Sequence, residues 1–352
     1  MKIIRFLFFG GWFILLILSP ACSQGTPTSR QNPEPASFAF SSVLNEQRNI
    51  FLFELDSETS QPLLTNEGEN TCPAFSPDGN QIAFCGKRGD KNYPFIAGGD
   101  GSNPHILTEQ IDACTCSSDA PLSWSPDGKW IVLPVLGGDP NLFGYDIFVV
   151  DTQRSTAQNL TSSPQRFGGL LWNKDSQSIL ITGKVGGRED IYQIDIRTKA
   201  YQPLLPNPIQ GAATNWSADG SQLLLFADSG EGNFDIYLLR KGEKTLTRLT
   251  SAPGFDSYPQ WFPDGQYILF ESKRDGNYEI YRMNADGSEQ VNLTNNPTAM
   301  DLWPTQSSDG TKIFYLTSYE DQWDSWMMNA DGSEKRKMTD LIGIPSKIAW
   351  KP

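Results

Sequence analysis

The stretch at residues 124–133, "WSPDGKWIVL", decides the fold. Its centre is a Pro-Asp-Gly turn, in which Pro presets the first turn dihedral, Asp bonds its own backbone and Gly accepts a left-handed conformation. An aromatic residue precedes the turn and an apolar run follows it. The pattern predicts a β-hairpin closed by a type I turn with a bulge.

The same pattern occurs six times along the chain. The segments are FSPDGNQIAF (75–84), WSPDGKWIVL (124–133), WNKDSQSILI (172–181), WSADGSQLLLF (216–226), WFPDGQYILF (261–270) and QSSDGTKIFYL (306–316). Their turn aspartates, spaced 44 to 49 residues apart, are Asp78, Asp127, Asp175, Asp219, Asp264 and Asp309. A second hairpin follows within each period, as in YEIYRMNADGSEQVNLT (278–294). Each period thus contains four short strands, A to D, as is typical of a β-propeller blade of about 40 to 50 residues.

The two ends of the repeat region complement each other. Before the first full repeat, SFAFSS, NIFLFEL and PLLT correspond to strands B, C and D without a strand A. The missing strand corresponds to SKIAWKP at the C-terminus, where Trp350 lies 44 residues after Gln306. We therefore predict an all-β, seven-bladed β-propeller over residues 37–352, closed by pairing the C-terminal strand with the three N-terminal strands. Closure removes exposed sheet edges.

An aromatic residue ends strand A in six of the seven blades. The positions are Phe75, Trp124, Trp172, Trp216, Trp261 and Trp350, with Gln306 as the exception. Six equivalent aromatic residues are compatible with a binding site, but packing between neighbouring blades explains them better. We interpret them as structural.

The first 36 residues are interpreted as export and anchoring signals. Lys2 and Arg5 precede an apolar run, which predicts a signal peptide over residues 1–21. The stretch LSPAC resembles a lipoprotein box, so we expect lipidation of Cys22 and a membrane-anchored protein on the periplasmic or cell-surface side. Simple secretion is the alternative. Residues 22–36 are polar and proline-rich, which predicts a flexible tether.

Charge and cysteine content restrict the partners further. The formal net charge of −13 disfavours binding to nucleic acid and tolerates cationic partners. An exported chain meets oxidising conditions, so Cys72, Cys85, Cys114 and Cys116 are candidates for two disulfides rather than a zinc site or free thiols. The pairing is left open, although a regular A–B hairpin would place Cys72 opposite Cys85.

The repeats resemble the WD40-like (PD40) propeller repeats of TolB-type proteins, whose consensus combines the WSPDG turn, a following IAF strand and an IYxMNADGS hairpin ending in LT. The resemblance extends from Ser37 to the C-terminus. It implies an envelope protein that binds other proteins. The chain departs from TolB itself, which has six blades and a separate α/β domain ahead of them.

Strand direction places the tight A–B and C–D turns on one face of the propeller. The B–C and D–A connections lie on the other face, here called the loop face, and vary in length and chemistry, which favours this face for binding. Asp119, Asp256 and Asp301 each lie five residues before a strand A aromatic position, so we expect them at the channel mouth, facing a cation or basic peptide. Capping of the turn into strand A is the alternative. Tyr258, Trp303 and Trp323 are further candidates for the same surface.

We expect a monomeric, non-catalytic protein that binds an envelope protein or peptide, without a cofactor or metal. A glycan-binding module using Trp303, Trp323 and Trp326 is one alternative. A glycan-cleaving propeller, for which Asp256 and Asp301 would be the carboxylate pair, is another. A peptidase needs a G-x-S-x-G elbow and a catalytic His, whereas the sequence has no such elbow and its single histidine, His105, falls on a predicted outer strand.

Overall fold

The computed structural model describes residues 36–44, 47–65, 68–115, 121–136, 145–161, 168–230, 232–320, 322–338 and 348–352. The predicted signal peptide, Cys22 and the tether up to residue 35 lie outside these ranges, as do Cys116 and Asp119. In the described ranges all regular secondary structure is β-strand, which confirms the predicted all-β class.

The strands form seven four-stranded antiparallel sheets, the blades. The first three strands belong to blade 7 and are β1 (Ser37–Leu44), β2 (Gln47–Glu54) and β3 (Thr59–Leu64). Blade 1 consists of β4 (Asn70–Phe75), β5 (Gln81–Arg88), β6 (Lys91–Gly98) and β7 (His105–Ile106). Blade 2 consists of β8 (Ser123–Trp124), β9 (Trp130–Leu136), β10 (Tyr145–Asp151) and β11 (Thr156–Asn159). Blade 3 consists of β12 (Gly168–Trp172), β13 (Ser178–Val185), β14 (Arg188–Asp195) and β15 (Tyr201–Pro203).

Blades 4 to 6 follow the same order of strands A to D. Blade 4 consists of β16 (Gly211–Trp216), β17 (Gln222–Asp228), β18 (Phe234–Arg240) and β19 (Thr247–Arg248). Blade 5 consists of β20 (Asp256–Trp261), β21 (Tyr267–Ser272), β22 (Glu279–Asn284) and β23 (Val291–Asn292). Blade 6 consists of β24 (Met300–Gln306), β25 (Lys312–Tyr319), β26 (Gln322–Asn329) and β27 (Arg336–Lys337). The last strand, β28 (Ile348–Trp350), is strand A of blade 7. The predicted seven blades are confirmed.

The A–B turns form as their residue types predict. Ser76 Oγ donates to Asp78 Oδ1 at 2.6 Å, and the backbone N–H of Asn80 donates to the same oxygen at 3.1 Å. Gly79 takes the left-handed conformation, with φ +70°. The same serine-to-aspartate bond recurs at Asp127, Asp219 and Asp309. The repeated turn is therefore a local structure stabilised by its own side chains.

The aromatic residue at the end of strand A joins neighbouring blades. The indole nitrogen of Trp124 donates to the carbonyl of Ala74 at 2.9 Å, and that of Trp172 donates to the carbonyl of Ser123 at 3.2 Å. Each acceptor belongs to strand A of the preceding blade. The exceptional Gln306 also reaches back, with its Nε2 donating to the carbonyl of Trp261 at 3.4 Å. These contacts support the structural interpretation of the aromatic series.

The ring closes through β28 and β1. Phe38 pairs with Trp350, Ala39 with Ala349 and Phe40 with Ile348 in an antiparallel ladder. The backbone N–H of Lys351 donates to the carbonyl of Ser37 at 2.8 Å. The Phe38 and Trp350 rings meet edge to face, with centroids 5.0 Å apart. The termini of the propeller thus share one sheet, as the complementary sequence ends predict.

Strand A carries a bulge in five blades, and this corrects the expectation of regular A–B hairpins. Register shifts occur in β4, β12, β16, β20 and β24, where the extra residues lie two or three positions before the last residue of strand A. In blade 1 the residue opposite Cys85 is Thr71, and Cys72 lies in the bulge with φ +57°. A bulge inserts one residue on one strand, so Cys72 does not face Cys85.

Cys85 instead forms a disulfide with Cys114, across a Cα–Cα distance of 5.8 Å. Cys114 lies in the connection from blade 1 to blade 2, where it also bridges to Val135 of β9. Cys72 is disulfide-bonded as well. The Cys85–Cys114 bond therefore braces the connection between two blades and is expected to stabilise the fold by about 3 kcal/mol.

Truncation of the closing tryptophan tests the ring. We expect Trp350→Ala to lower the free energy of unfolding by about 3 kcal/mol, because the ring loses its packing against Phe38 and its indole bond to Thr305 Oγ1. Urea denaturation followed by circular dichroism measures the change. Val291→Ala, at an exposed position of strand D, is the matched control and should change stability by less than about 0.5 kcal/mol. Equal, small losses in both variants would contradict closure through β28.

Candidate functional site

Exposed apolar side chains are concentrated on the loop face. Seven large apolar residues are strongly exposed among those that the structure describes, and six of them lie at the loop-face ends of strands A or B. The six are Val43, Leu136, Tyr258, Met300, Trp303 and Tyr319. The seventh, Val291, lies on outer strand β23. Three of the six belong to blade 6, and the other three lie one each on blades 2, 5 and 7.

Tyr258 and Trp303 are exposed because each occupies the strand A bulge of its blade. Their φ angles are +48° and +53°, in the left-handed region that side chains other than glycine rarely adopt. Tyr258 is 39% exposed and Trp303 is 47% exposed. Such a conformation costs on the order of 1 kcal/mol. The two bulges therefore direct aromatic side chains toward solvent at equivalent places in blades 5 and 6.

The predicted aromatic residues fall into two neighbouring groups. The Trp303 ring stacks on Trp323 of β26, with centroids 5.1 Å apart and planes inclined by 24°. The Tyr258 ring contacts Phe226 of blade 4 at 5.2 Å. Trp326 does not join them, because it lies an odd number of residues from Trp323 on the same strand and points to the opposite side of the sheet, where it stacks with Tyr315. We call Tyr258, Trp303 and Trp323 the aromatic rim.

Asp256 does not lie open at the channel mouth. Its carboxylate is fully buried and forms an ion pair with Arg274, at 2.9 Å from Nη2. Arg274 is itself held by Ser272 and Gln290 and lies over the rings of Phe270 and Tyr281. The expectation of an exposed acidic mouth is therefore wrong at this position, and the carboxylate is paired inside blade 5 instead.

Asp301 is also buried, within β24. It accepts a hydrogen bond from Thr317 Oγ1 at 2.6 Å, and Thr317 is its cross-strand partner. Burial raises the pKa of Asp301 to about 6, a shift that the Thr317 hydroxyl opposes and the Glu279 charge reinforces. Asp301 thus bonds across the ladder to Thr317, and hydrogen bonds from Asn296 and Thr294, in the connection that precedes β24, also oppose the rise of its pKa. Asp119, the third member of the predicted set, lies outside the described residues.

The alternative of a glycan-cleaving pair depends on Asp256 and Asp301. A glycosidase needs two carboxyl groups that reach the substrate, one to protonate the leaving group and one to act as base or nucleophile. Here the first is neutralised by an arginine and the second is engaged by a threonine, both below the surface. The geometry gives this pair a structural role.

Two carboxylates at the start of strand C, the half-buried Asp146 and the buried Glu279, bond to a threonine that follows strand D. Thr161 Oγ1 donates to Asp146 at 2.9 Å, and Thr294 Oγ1 donates to Glu279 at 2.5 Å. The threonine in each case ends the LT motif of the repeat. These acids satisfy hydrogen bonds that the repeated strand geometry creates, so they belong to the frame of the propeller.

Glu271 is a functional candidate that the sequence analysis missed. It lies near the end of β21, is 1% exposed, and accepts a 2.7 Å hydrogen bond at Oε1 from the backbone N–H of Trp303 in the next blade. Burial raises its pKa to about 7, against the opposing effects of the Trp303 and Ser257 donors. Glu271 lies in the apolar segment YILFES and belongs to no recognisable motif. Only alignment of the repeats shows that it places a carboxyl group where the other full repeats have an uncharged residue.

In the described part of the chain, no group of three or more His, Cys, Asp or Glu side chains has an arrangement that could hold a metal ion. His105 is exposed on strand D of blade 1, where its Nδ1 lies 2.9 Å from the carbonyl of Asn103. No helix in the described ranges has the length and hydrophobicity needed to cross a bilayer.

Removal of Arg274 tests the role of the buried ion pair. We expect Arg274→Met to reduce the free energy of unfolding by about 3 kcal/mol, because the Asp256 carboxylate is left buried without its partner. The double variant Asp256→Asn with Arg274→Met should recover most of the loss, as neither charge remains. Thermal and urea unfolding of the four proteins complete the cycle. Additive losses in the double variant would contradict direct pairing.

The pKa of Glu271 predicts a pH-dependent stability. Because its pKa is raised from 4.5 to about 7 in the folded protein, the carboxyl destabilises the fold progressively as pH rises from 4.5 to 7 and by a constant amount above that. We expect Glu271→Gln to be more stable than the wild type by about 3 kcal/mol at pH 8 and to lose this advantage at pH 4. Urea midpoints at the two pH values measure it. An equal difference at both would contradict the raised pKa.

Comparison with known proteins places these features in context. Residues 194–343 match the family model of the TolB beta propeller domain. The Tol-Pal system protein TolB of Francisella tularensis is 28% identical over 204 residues, covering 56% of this chain and 44% of the relative. The uncharacterised peptidase YuxL of Bacillus subtilis is 24% identical over 212 residues, covering 57% of this chain and 29% of the relative. The chain therefore spans less than half the length of these two relatives.

Two solved structures share the β-propeller fold. TolB from Acinetobacter baumannii superposes with a TM-score of 0.56 at 19% identity, covering 90% of this chain and 83% of that one. The propeller domain of the Trilobed protease from Pyrococcus furiosus gives a TM-score of 0.63 at 14% identity, covering 89% and 95%. Residues 194–343 are thus similar to the TolB propeller, and the chain has the β-propeller fold.

Proposed function

We propose that the protein is a non-catalytic, exported propeller that binds a protein or peptide in the bacterial cell envelope through its loop face. The observation that carries the proposal is the placement of six of seven strongly exposed large apolar side chains on that face, among the described residues. Strand bulges hold two of them, Tyr258 and Trp303, outward at an energetic cost. The bulge of blade 1 has the same conformation at Cys72, which is 1% exposed, so blades 5 and 6 differ in carrying an exposed aromatic side chain at this position.

The proposed location follows from the N-terminal sequence. A signal peptide over residues 1–21 and lipidation of Cys22 would anchor the chain, and the polar residues 22–36 would give the propeller reach from the membrane. The similarity to TolB proteins supports an envelope setting. The disulfide between Cys85 and Cys114 is consistent with an oxidising compartment. We propose that the anchored protein is a monomer.

The proposed interface has the composition of an interaction hot spot. Aromatic residues, and tryptophan above all, contribute most binding energy at protein interfaces, where they fill pockets of the partner. Trp303 offers one face of a ring whose other side is supported by Trp323, so little conformational freedom is lost on binding. The overall charge of −13 favours a neutral or cationic partner.

Affinity capture from an envelope extract tests this function. We expect the wild-type propeller to retain a specific protein, and Trp303→Ala to lose it, since removing a hot-spot tryptophan weakens binding by about 2 kcal/mol or more, roughly thirtyfold. Tyr258→Ala should weaken capture to a lesser extent. Quantitative mass spectrometry of the retained proteins gives the measurement.

Val291→Ala is the matched control for capture, because it also removes an exposed apolar side chain but lies on an outer strand away from the loop face. It should retain the partner fully. If Trp303→Ala and Tyr258→Ala both retained the same proteins as Val291→Ala and the wild type, the loop face would not be the binding surface.

A glycan is the second candidate ligand, favoured by the exposed ring of Trp303 on its stacked support. Aromatic faces bind the apolar faces of sugar rings, and the rim offers one such platform. A glycan array probed with the wild type and with Trp303→Ala decides between the candidates. Binding to a defined glycan that disappears in the variant, without any captured protein, would support a glycan-binding module in place of a protein-binding one.

A further inference from the structure

Glu271 occupies a strand B position at which the other full repeats have no acidic residue. It lies seven residues after its turn aspartate, Asp264, at the end of strand B. The equivalent residues in the other five full repeats are Cys85, Pro134, Thr182, Phe226 and Leu316. A propeller blade therefore forms with a neutral or apolar side chain here. A carboxyl group buried at such a position costs stability, so the frame alone does not account for it.

The carboxyl group of Glu271 holds the bulge that exposes Trp303. A bulged residue is left out of the ladder, so its N–H needs another acceptor. Glu271 Oε1 provides that acceptor at 2.7 Å from the Trp303 nitrogen, across the boundary between blades 5 and 6. Ser257 Oγ lies 3.4 Å from Oε2 on the other side. One side chain thus links the strand A bulges of both blades.

The strands packed against Glu271 place uncharged residues directly opposite it and acidic residues farther away. Its cross-strand neighbours, Ser257 on β20 and Ile280 on β22, are uncharged. Of the nearby acids, Asp256 on β20 is paired with Arg274, whereas Glu279 on β22 and Asp301 on β24 accept hydrogen bonds from threonines. Burial raises the pKa of the Tyr278 phenol, and the negative charge of Glu271 adds to that effect.

We propose that Glu271 is the positioning residue of the aromatic rim, and that ionisation of its carboxyl group tightens the hold on Trp303 and so makes the rim responsive to pH. As a carboxylate, Glu271 accepts charge-assisted bonds from the Trp303 N–H and the Ser257 hydroxyl. Such bonds are roughly twice as strong as neutral ones. As a neutral acid it keeps only a weaker bond, and one of its oxygens becomes a donor.

The transition falls near neutral pH, because burial raises the pKa of Glu271 to about 7. The bulge is held most firmly above this pH and loosens below it. The inference rests on the proposed function only for its biological consequence, namely that the partner binds more tightly above pH 7 than below it. The coupling between Glu271 and Trp303 is a property of the propeller alone.

Fluorine NMR of the isolated propeller tests that coupling without a partner. The protein is labelled with 5-fluorotryptophan, and the Trp303 resonance is assigned from its loss in Trp303→Phe. Between pH 5 and pH 9 the resonance should shift with a midpoint near 7 in the wild type. In Glu271→Gln, which keeps an acceptor for the Trp303 N–H but cannot ionise, the shift should vanish.

Two further variants separate Glu271 from its neighbours. Asp301→Asn removes the other nearby acid that titrates in this range, with a pKa of about 6, and should leave the midpoint unchanged. Ser257→Ala removes a donor to the carboxylate and should move the midpoint to higher pH. A flat wild-type profile, a titration that survives Glu271→Gln, or a midpoint that follows Asp301 would each overturn the inference.

The outcomes distinguish this inference from the proposed function. If the Trp303 resonance does not titrate while Trp303→Ala still loses the captured partner, the pH coupling is wrong and the binding surface stands. If the resonance titrates and capture survives Trp303→Ala, the coupling stands and the binding surface is wrong. When both hold, capture by the wild type should be stronger at pH 8 than at pH 6, and capture by Glu271→Gln should be equal at the two.

Discussion

The pairing of β28 with β1 is the constraint on which the rest of the structure depends. Three residue pairs, the backbone bond from Lys351 to Ser37 and the edge-to-face contact between Phe38 and Trp350 join the two ends of the propeller. The indole of Trp350 also donates to Thr305 of blade 6 at 3.2 Å, as the tryptophans of blades 2 and 3 do to their preceding blades. Because closure leaves no free first or last blade, each sheet is held from both sides. The loop face is therefore a rigid frame, on which small differences between blades carry function.

Those differences fall at two recurring positions that face each other across blade boundaries. One is the strand A bulge and the other is the end of the preceding strand B. Between blades 5 and 6 the pair is Trp303 with Glu271, and between blades 4 and 5 it is Tyr258 with Phe226, which form a hydrogen bond and a ring contact respectively. In blade 1 the position at the end of strand B holds Cys85, which forms a disulfide with Cys114 in the connection that follows. The end of strand B thus carries a disulfide, an aromatic contact or an ionisable contact, depending on the side chain.

The fold was predictable from the sequence because its determinants are local and repeated. A Pro-Asp-Gly turn specifies its hairpin wherever it occurs, and six copies with complementary ends determine the blade number and the closure.

The orientation of the candidate acids was not predictable in this way. Counting five residues back from the aromatic position crosses the bulge, which inserts one residue and reverses the alternation of inward and outward side chains, so Asp256 and Asp301 lie buried rather than open. Tyr258 and Trp303 were found as aromatic residues near strand starts, but their left-handed conformation has no signature in residue type. Glu271 becomes visible only when the repeats are compared position by position.

A propeller frame does not by itself determine an activity, and the relatives of this chain carry names as different as TolB and peptidase. What distinguishes this chain is the aromatic rim on its loop face. The closed ring holds the blades that carry the aromatic rim in their places. Hydrogen exchange of the C-terminal segment, followed by mass spectrometry, tests closure most directly, because three residues of isolated strand have no other source of protection. The account predicts that the amides of Ala349 and Lys351 exchange as slowly as those of the inner strands of blades 1 to 6. Complete exchange of this segment within seconds, as in an unstructured peptide, would contradict it.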